Sequence, residues 1–295
     1  MAIPVAHFWS GASRLRAATI ALMALAAGGC SINLGSLTPS STSAAPEPAK
    51  LTSSTNIASL SETIKSHPND PQAYNMRGSV LAQAGKTDEA LADFNKAIGL
   101  DPNYGQAYAN RGLIYRQTKR LDQAMADYER AISLDANYAP AYLGRGMVYK
   151  ARKQPAEALA DFNKAITLAP DNAEAYYNRG LLYQAEKQHQ YAIDDFTAAS
   201  GLVPQQGEPL LARALSYLAT DRPKEAAADL DEAVQADPQN PQAWLTRGLA
   251  YERLGDKSKA AGSYGRAINL RPKDETARTG FARVGGKPGQ TYETF

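Results

Sequence analysis

Apolar and small residues recur along this chain with a period of 34 residues, from Pro71 to Asp274. With Pro71 as position 1, six consecutive copies carry an aromatic or apolar residue at positions 4, 11 and 24, Gly or Ala at position 8, and Ala at positions 20 and 27. Position 24 reads Phe94, Tyr128, Phe162, Phe196, Leu230 and Tyr264. Positions 4, 8 and 11 recur at helical spacing, as do positions 20, 24 and 27, so each copy predicts two helices that each bury one face.

The two helices of each copy are predicted to be antiparallel, the first over about positions 1–14 and the second over about positions 17–29. Small residues at positions 8, 20 and 27 let the backbones approach closely, and the aromatic residues fill the space that remains. Pro stands at position 32 in every copy except the second, which has Ala136 there. Because Pro lacks an N–H and disfavours helix in the residue before it, it separates one copy from the next.

This pattern resembles the tetratricopeptide-repeat family, and the resemblance covers 71–274 without an insertion. It implies an all-α fold, a superhelical solenoid of antiparallel helix pairs with six repeats and a capping helix at each end. The predicted repeats are 71–104, 105–138, 139–172, 173–206, 207–240 and 241–274. The N-terminal capping helix is predicted within 56–70, over 56–67, and the C-terminal one within 275–295, where the tail after Gly285 and Gly286 is expected to fray.

The first residues of the chain are typical of an export signal. Residues 1–29 contain two Arg, an uncharged apolar stretch too short to span a bilayer, and small residues directly before Cys30. That ending resembles the lipobox of bacterial lipoproteins, which implies that Cys30 is lipidated, with palmitate among the acyl chains. Residues 30–55 are rich in Ser, Thr and Pro and predict a disordered tether.

The residue after Cys30 is Ser31, which resembles the pattern that sorts lipoproteins to the outer membrane. The expected location is therefore the outer membrane, with a lipid anchor and the repeats facing the periplasm. The alternative is an ordinary signal peptide and a soluble periplasmic or secreted protein.

The composition favours neither nucleic-acid binding nor catalysis. Lys and Arg number 32 against 30 Asp and Glu, without a concentrated basic face for phosphates. The three His do not cluster with Cys or carboxylates, and the sequence has neither a Gly-rich phosphate loop nor a G-x-S-x-G motif. We therefore predict no catalytic residue, metal site or cofactor, and a protein that is not an enzyme.

Arg occupies position 7 of every repeat, as Arg77, Arg111, Arg145, Arg179, Arg213 and Arg247. Asp occupies position 23 of the first five repeats, as Asp93, Asp127, Asp161, Asp195 and Asp229. The Arg row could bind anions, but opposite charges that recur together favour a ladder of Arg–Asp pairs that ties first helix to second. Arg247 has Ser263 in place of the Asp and is expected to be the free one.

In this family the first helices line a concave groove, so the resemblance implies a peptide-binding groove here. The residues predicted to line it are Tyr104, Asn110, Leu113, Arg116, Tyr138, Met147, Lys150, Tyr177, Asn178, Leu181 and Gln184. Position 9 is apolar in five repeats, and Arg116 and Lys150 add positive charge, which would suit a peptide with alternating apolar and polar or acidic side chains. The alternative is a strip that neighbouring Tyr side chains cover and that carries no ligand.

The Lys-Asn pattern of the family's carboxylate clamp is missing, so that specificity is not predicted. The resemblance implies a non-catalytic scaffold that binds protein or peptide partners, as an adaptor for cell-wall or proteolytic enzymes. The alternative is a pilotin-like assembly factor for pilus or secretin subunits. Self-association through the repeat faces stays open.

Overall fold

The computed structural model describes residues 48–289 and Tyr292, with side chains from Ser54 onward. The predicted signal segment 1–29, Cys30 and most of the predicted tether 30–55 lie outside the described residues. The described part of the chain consists of fourteen helices and contains no strand. They are α1 Pro48–Ser66, α2 Pro71–Gln83, α3 Thr87–Leu100, α4 Gly105–Gln117, α5 Leu121–Leu134, α6 Ala139–Ala151, α7 Pro155–Leu168, α8 Ala173–Ala185, α9 His189–Leu202, α10 Gly207–Ala219, α11 Pro223–Ala236, α12 Pro241–Arg253, α13 Lys257–Leu270 and α14 Glu275–Arg283.

The even-numbered helices from α2 to α12 are the first helices of the six repeats, and α3 to α13 are the second helices. Each first helix packs on the second helix of its own repeat and on that of the repeat before it. First helices of adjacent repeats also contact one another, whereas second helices of adjacent repeats do not contact each other in the described chain. The first helices therefore form the inner side of the solenoid, and the predicted all-α superhelix of helix pairs is confirmed.

The core follows the repeat positions that the sequence singled out. Ala at position 20 is fully buried in all six repeats, as Ala90, Ala124, Ala158, Ala192, Ala226 and Ala260. A Cβ added at Gly146 would lie 2.8 Å from the Phe162 ring, and one at Gly180 would lie 2.7 Å from the Phe196 ring. Gly at position 8 therefore makes room for the ring at position 24, and the layers pack at the density of a protein interior.

The N-terminal capping helix begins at Pro48 rather than at residue 56, so the last residues of the predicted tether are helical. Pro fits the first turn of a helix, and extending an existing helix is easier than nucleating a new one. Ser and Thr are also tolerated in α1 because their hydroxyls donate back to the preceding turn, as Ser61 does to the Ile57 carbonyl at 2.7 Å.

Of the predicted frayed tail after Gly285 and Gly286, the structure describes residues 287–289 and Tyr292. Gly285 has a φ of +83°, which turns the chain back, and Gly286 lies so close to the Phe281 ring that a Cβ would be 2.5 Å from it. The Tyr292 ring then packs edge-on against Phe281, with the centroids 5.7 Å apart. The backbone N–H of Lys287 donates to the Tyr292 hydroxyl at 2.6 Å. Tyr292 therefore lies against α14.

Candidate peptide-binding groove

The Arg row of repeats 1–5 is paired with Asp as the sequence predicts. In each repeat the guanidinium donates two hydrogen bonds, 2.6–2.9 Å long, to the two oxygens of one carboxylate. The pairs are Arg77 with Asp93, Arg111 with Asp127, Arg145 with Asp161, Arg179 with Asp195, and Arg213 with Asp229. The hydrogen bond to the Asp raises the pKa of each Arg. These cations therefore hold first helix to second helix.

Four of these arginines also reach the repeat before their own. Their third nitrogen donates to a side chain at position 25 of the preceding second helix, over 2.6–3.0 Å. The acceptors are Ser61 for Arg77, Asn95 for Arg111, Asn163 for Arg179 and Thr197 for Arg213. Each such guanidinium therefore joins three helices, so the ladder also fixes the stacking of repeats.

The prediction that Arg247 is free is wrong. Its side chain is 1% exposed, its Nε donates to Asp231 at 2.6 Å, and its Nη1 donates to Ser263 at 2.7 Å. Asp231 lies at position 25 of the repeat before, where four of the other arginines find neutral acceptors. In repeat 6 the carboxylate therefore comes from the second helix of the preceding repeat and not from that of the same repeat. Arg247 is the most buried of the six arginines at position 7.

Four of the predicted polar groove residues form hydrogen bonds, two of them to Asn75 and two to each other. Asn110 donates to Asn75 at 2.9 Å, and Asn75 donates to the Tyr104 hydroxyl at 3.2 Å. Lys150 donates to Asn178 at 2.8 Å. The bonds of Asn110 and Lys150 join first helices of adjacent repeats, so these amides help to hold the repeats together at the inner surface.

The other predicted groove residues divide between packing and exposure. Tyr138 packs against the cluster around Tyr128, while Tyr177 and Leu181 pack on Phe196 and Ala212. Gln184 donates to the Ala212 carbonyl and the Ser216 hydroxyl. In the position 9 strip, by contrast, Leu113 and Leu215 are each 37% exposed. Apolar surface is therefore available on the first helices.

Four predicted residues meet in one cleft between α4 and α6. Asn110, Leu113, Arg116 and Met147 line a space of about 160 Å³ together with Tyr128 and Glu174, and we call this space the Tyr128 cleft. Tyr128 comes from the second helix α5, and its ring ends against Gly144, where a Cβ would lie 2.3 Å from the ring. A second-helix side chain thus reaches the inner surface because Gly144 leaves a gap.

The Tyr128 cleft is cationic and partly dry. The Arg116 Nε is buried without a hydrogen-bond partner among the described residues. Burial raises the pKa of the Tyr128 hydroxyl, and the charge of Arg116 and its hydrogen bond with that hydroxyl oppose the rise. Burial also lowers the pKa of Lys150, and the Arg116 charge lowers it further. A buried donor without a partner is costly, so an anion that fits here would be stabilised.

Family models of the tetratricopeptide repeat match most of the solenoid. One matches 211–275, a second, described as TPR repeat, matches 78–119, 112–152 and 146–186, and a third matches 173–205. The chain belongs to the tetratricopeptide-repeat family. No curated protein sequence matches it. Tetratricopeptide repeats bind protein or peptide partners, and such proteins are generally non-catalytic scaffolds.

Solved tetratricopeptide-repeat structures share the fold. Pseudomonas aeruginosa PilF has a TM-score of 0.67 at 22% identity, over 72% of this chain and 97% of that one. PilW, described as a type IV pilus biogenesis factor, has a TM-score of 0.63 at 19% identity, over 71% and 97%. A chain of the APC/C hetero-tetramer Cut9-Hcn1 has a TM-score of 0.67 at 17% identity, over 79% of this chain and 46% of that chain. The present chain thus spans less than half of that third protein.

Among the described residues, none of the helices combines the length and apolarity that crossing a membrane requires. In the same part of the chain, no group of three or more His, Cys, Asp or Glu side chains is placed to hold a metal ion.

Sequence reasoning missed Tyr128 and Gly144, because it treated position 24 as core in every repeat. The available signal was Gly at position 6 of a repeat that follows Tyr at position 24. That combination recurs at Tyr264 and Gly280.

Proposed function

We propose that the protein is a non-catalytic scaffold that holds partner polypeptides along the inner surface formed by its first helices. The observation that carries the proposal is an apolar strip at position 9, exposed at Leu113 and Leu215, beside a half-buried Arg116 whose Nε has no hydrogen-bond partner among the described residues. An extended chain could cover the strip and supply groups to the cleft. Such burial of apolar area drives association, while the polar contacts give specificity.

The test compares two exposed apolar residues on opposite sides of the solenoid. A photoreactive residue replaces Leu113, on the inner side, or Tyr191, which is 61% exposed on the second helix α9. After irradiation of cells, we expect polypeptides crosslinked from Leu113 that are missing from Tyr191. Equal capture from the two positions, or capture from Tyr191 alone, would contradict binding in the groove.

We further propose that Cys30 carries a lipid that anchors the scaffold to the outer membrane, facing the periplasm. The proposal rests on the small residues before this lone cysteine and on Ser31 after it. Several acyl chains anchor a protein stably where a single chain does not. Cells fed a palmitate analogue should label the wild-type protein and not Cys30→Ala. A Cys30→Ala protein that still fractionates with outer membranes would refute the lipid anchor, and an unlabelled wild type in the periplasmic fraction would favour the soluble alternative.

Within this role we propose an adaptor that gathers cell-wall or proteolytic enzymes. The second candidate is an assembly factor for pilus or secretin subunits. It is kept because the solenoid matches nearly the full length of PilW, although at 19% identity that likeness concerns the fold alone. Co-purification of hydrolases would support the adaptor. Loss of surface pili or mislocalised secretin in a deletion strain, without captured hydrolases, would support the assembly factor instead.

A further inference from the structure

Two clefts on the first-helix surface are built from equivalent repeat positions. The Tyr128 cleft lies between α4 and α6. The second lies four repeats further along the chain, between α12 and α14, measures about 490 Å³, and is lined by Tyr264, Leu249 and Arg283 among others. We call it the Tyr264 cleft. The pair offers an internal comparison of the same site with different side chains.

Both clefts depend on a Tyr at position 24 and a Gly at position 6 of the following unit. A Cβ at Gly144 would lie 2.3 Å from the Tyr128 ring, and one at Gly280 would lie 2.5 Å from the Tyr264 ring. Where position 24 holds Phe or Leu, position 6 of the next repeat instead holds a larger residue, namely Asn110, Asn178, Ala212 or Thr246. The longer phenol thus needs the missing Cβ, and its hydroxyl end lies beside the inner surface.

In the Tyr264 cleft the phenol is satisfied by a carboxylate of the chain itself. The Tyr264 hydroxyl donates to Glu252 at 2.6 Å, and Arg283 donates to both oxygens of the same carboxylate, through Nη2 at 2.8 Å and through Nε. Glu252 stands at position 12 of its repeat, and Arg283 stands at position 9 of the next unit. Phenol, carboxylate and guanidinium form a closed set.

The Tyr128 cleft lacks that carboxylate. Its position 12 is Arg116, where the other cleft has Glu252, and its position 9 in the next repeat is Met147, where the other has Arg283. The guanidinium therefore comes from the opposite side of the Tyr, and the Arg116 Nε is left buried without a partner among the described residues. Arg116 and the Tyr128 hydroxyl are hydrogen-bonded to each other, and the carboxylate that joins the two donors of the Tyr264 cleft is missing.

The neighbouring charges do not supply the acceptor. Lys150 adds a second cation and is bonded to the Asn178 amide oxygen. Glu174 lines the cleft, but its side chain is exposed and forms no ion pair with Arg116 or Lys150 in the described part of the chain. Two cations against one exposed carboxylate leave the cleft positive, so charge complementarity favours an acidic group from outside.

We propose that the Tyr128 cleft binds the side-chain carboxylate of an Asp or Glu in a partner peptide, which accepts hydrogen bonds from Arg116 and the Tyr128 hydroxyl. The apolar residues beside that acid would pack on Leu113 and Met147. This inference rests on the groove binding proposed above and names its chemistry. It differs from a clamp at positions 5 and 9, because the donors here come from positions 12 and 24.

The test selects ligands from a displayed library of random short peptides whose C-termini are fused to the carrier, so that only side chains can supply a carboxylate. Peptides bound by the wild-type protein should share an Asp or Glu at a fixed distance from apolar residues. Arg116→Gln should weaken their binding about tenfold or more, because a buried charged hydrogen bond is lost. Arg116→Lys should retain part of the affinity, and Glu174→Gln should strengthen it.

Two variants make the result specific to the cleft. Arg120→Gln removes the same charge from an exposed position outside the groove and should leave binding unchanged. Arg116→Glu combined with Met147→Arg rebuilds the Tyr264 arrangement and should fold while losing selection for acidic peptides. Circular dichroism and melting of each variant establish that it is folded.

The outcomes separate this inference from the proposed function. Bound peptides without a fixed acid, or with an acid whose effect survives in Arg116→Gln, would overturn the carboxylate site and leave groove binding standing. Selection of acids only from a second library with free C-termini would also overturn it, in favour of a terminal carboxylate. A wild-type protein that selects no peptide at all would overturn groove binding and this inference together.

Discussion

Arg247 and Arg116 both lie on first helices of the solenoid, yet they differ in the hydrogen-bond partners that surround them. Arg247 is 1% exposed, hydrogen-bonded to Asp231 and Ser263, and its guanidinium carbon lies 4.8 Å from the centroid of the Tyr251 ring. Arg116 has a buried Nε that finds no partner among the described residues. Arg247 therefore has its hydrogen-bond acceptors within the chain, whereas the Arg116 Nε has none among the described residues.

The difference separates structural charge from charge that is available to a partner. A cation that holds repeats together takes its carboxylate from a neighbouring helix, even when the usual Asp at position 23 has been replaced by Ser263. Burying a donor atom of a cation without an acceptor, as at the Arg116 Nε, costs stability. We infer that this cost is retained at Arg116 because a ligand offsets it.

The largest effect is expected when Arg247 is removed. Arg247→Ala leaves the Asp231 carboxylate without its cation and Ser263 without its donor, and it opens a cavity, so the free energy of unfolding should fall by about 3 kcal/mol or more. Arg145→Ala is the matched control, because its side chain is 21% exposed. It should lose less, about 1–3 kcal/mol. Urea denaturation measures the free energy of unfolding of both variants. An equal loss would mean that the deeper burial of Arg247 adds nothing to stability beyond what an Arg–Asp pair of the ladder contributes.

The next effect concerns the place of the carboxylate. Asp231→Ser should cost about 2 kcal/mol, because Arg247 would then be buried without an anion. Adding Ser263→Asp restores the arrangement of repeats 1–5 and should recover at least half of the loss. Ser263→Asp alone is the control. If the two single changes simply add in the double variant, the carboxylate cannot be exchanged between positions 23 and 25.

A smaller effect is expected in alkaline solution. Burial raises the pKa of the Tyr251 hydroxyl to about 12, and the hydrogen bond to Asp231 adds to the rise. Because the folded state keeps this phenol neutral more strongly than the unfolded chain, its contribution to stability is complete below the ordinary pKa of 10 and is lost as the pH rises to about 12.

Melting temperatures across that window check this expectation. Tyr251→Phe should lose less stability between pH 10 and pH 12 than the wild type does. Tyr149→Phe, at the same repeat position but without a carboxylate bond in the described chain, should follow the wild type. A Tyr251→Phe curve that falls as steeply as the wild-type curve would contradict the assignment.

The sequence predicted the side-chain pairs that recur in several repeats and missed the pair that occurs in one repeat alone. Five Arg–Asp pairs could be found because both charges recur in every one of those repeats. Arg247 was misjudged because only Ser263, in its own repeat, was considered as the partner. The real partner, Asp231, stands one repeat earlier, and three-dimensional stacking rather than chain order brings it close.

The groove residues also divide into those that the sequence could place and those that it could not. The apolar residues at position 9 could be placed on the inner surface because the resemblance to the family implies that the first helices line the groove. The reach of Tyr128 through the layer could not, because it depends on the gap at Gly144 in another repeat. The internal bonding of the amides, such as Asn110 to Asn75, likewise depends on how far adjacent first helices are rotated, and a period does not contain that angle.

The most direct test of whether Arg116 is held for a partner is the free energy of unfolding of Arg116→Gln, measured beside Arg145→Gln in the same buffer. Arg145→Gln should lose about 1–3 kcal/mol, because Asp161 is left buried without its cation. Arg116→Gln should stay within about 0.5 kcal/mol of the wild type, because Arg116 forms no ion pair in the described part of the chain and its hydrogen bond with the Tyr128 hydroxyl leaves no buried charge unpaired when it is removed. A loss as large as that of Arg145→Gln would contradict the account and make Arg116 part of the scaffold.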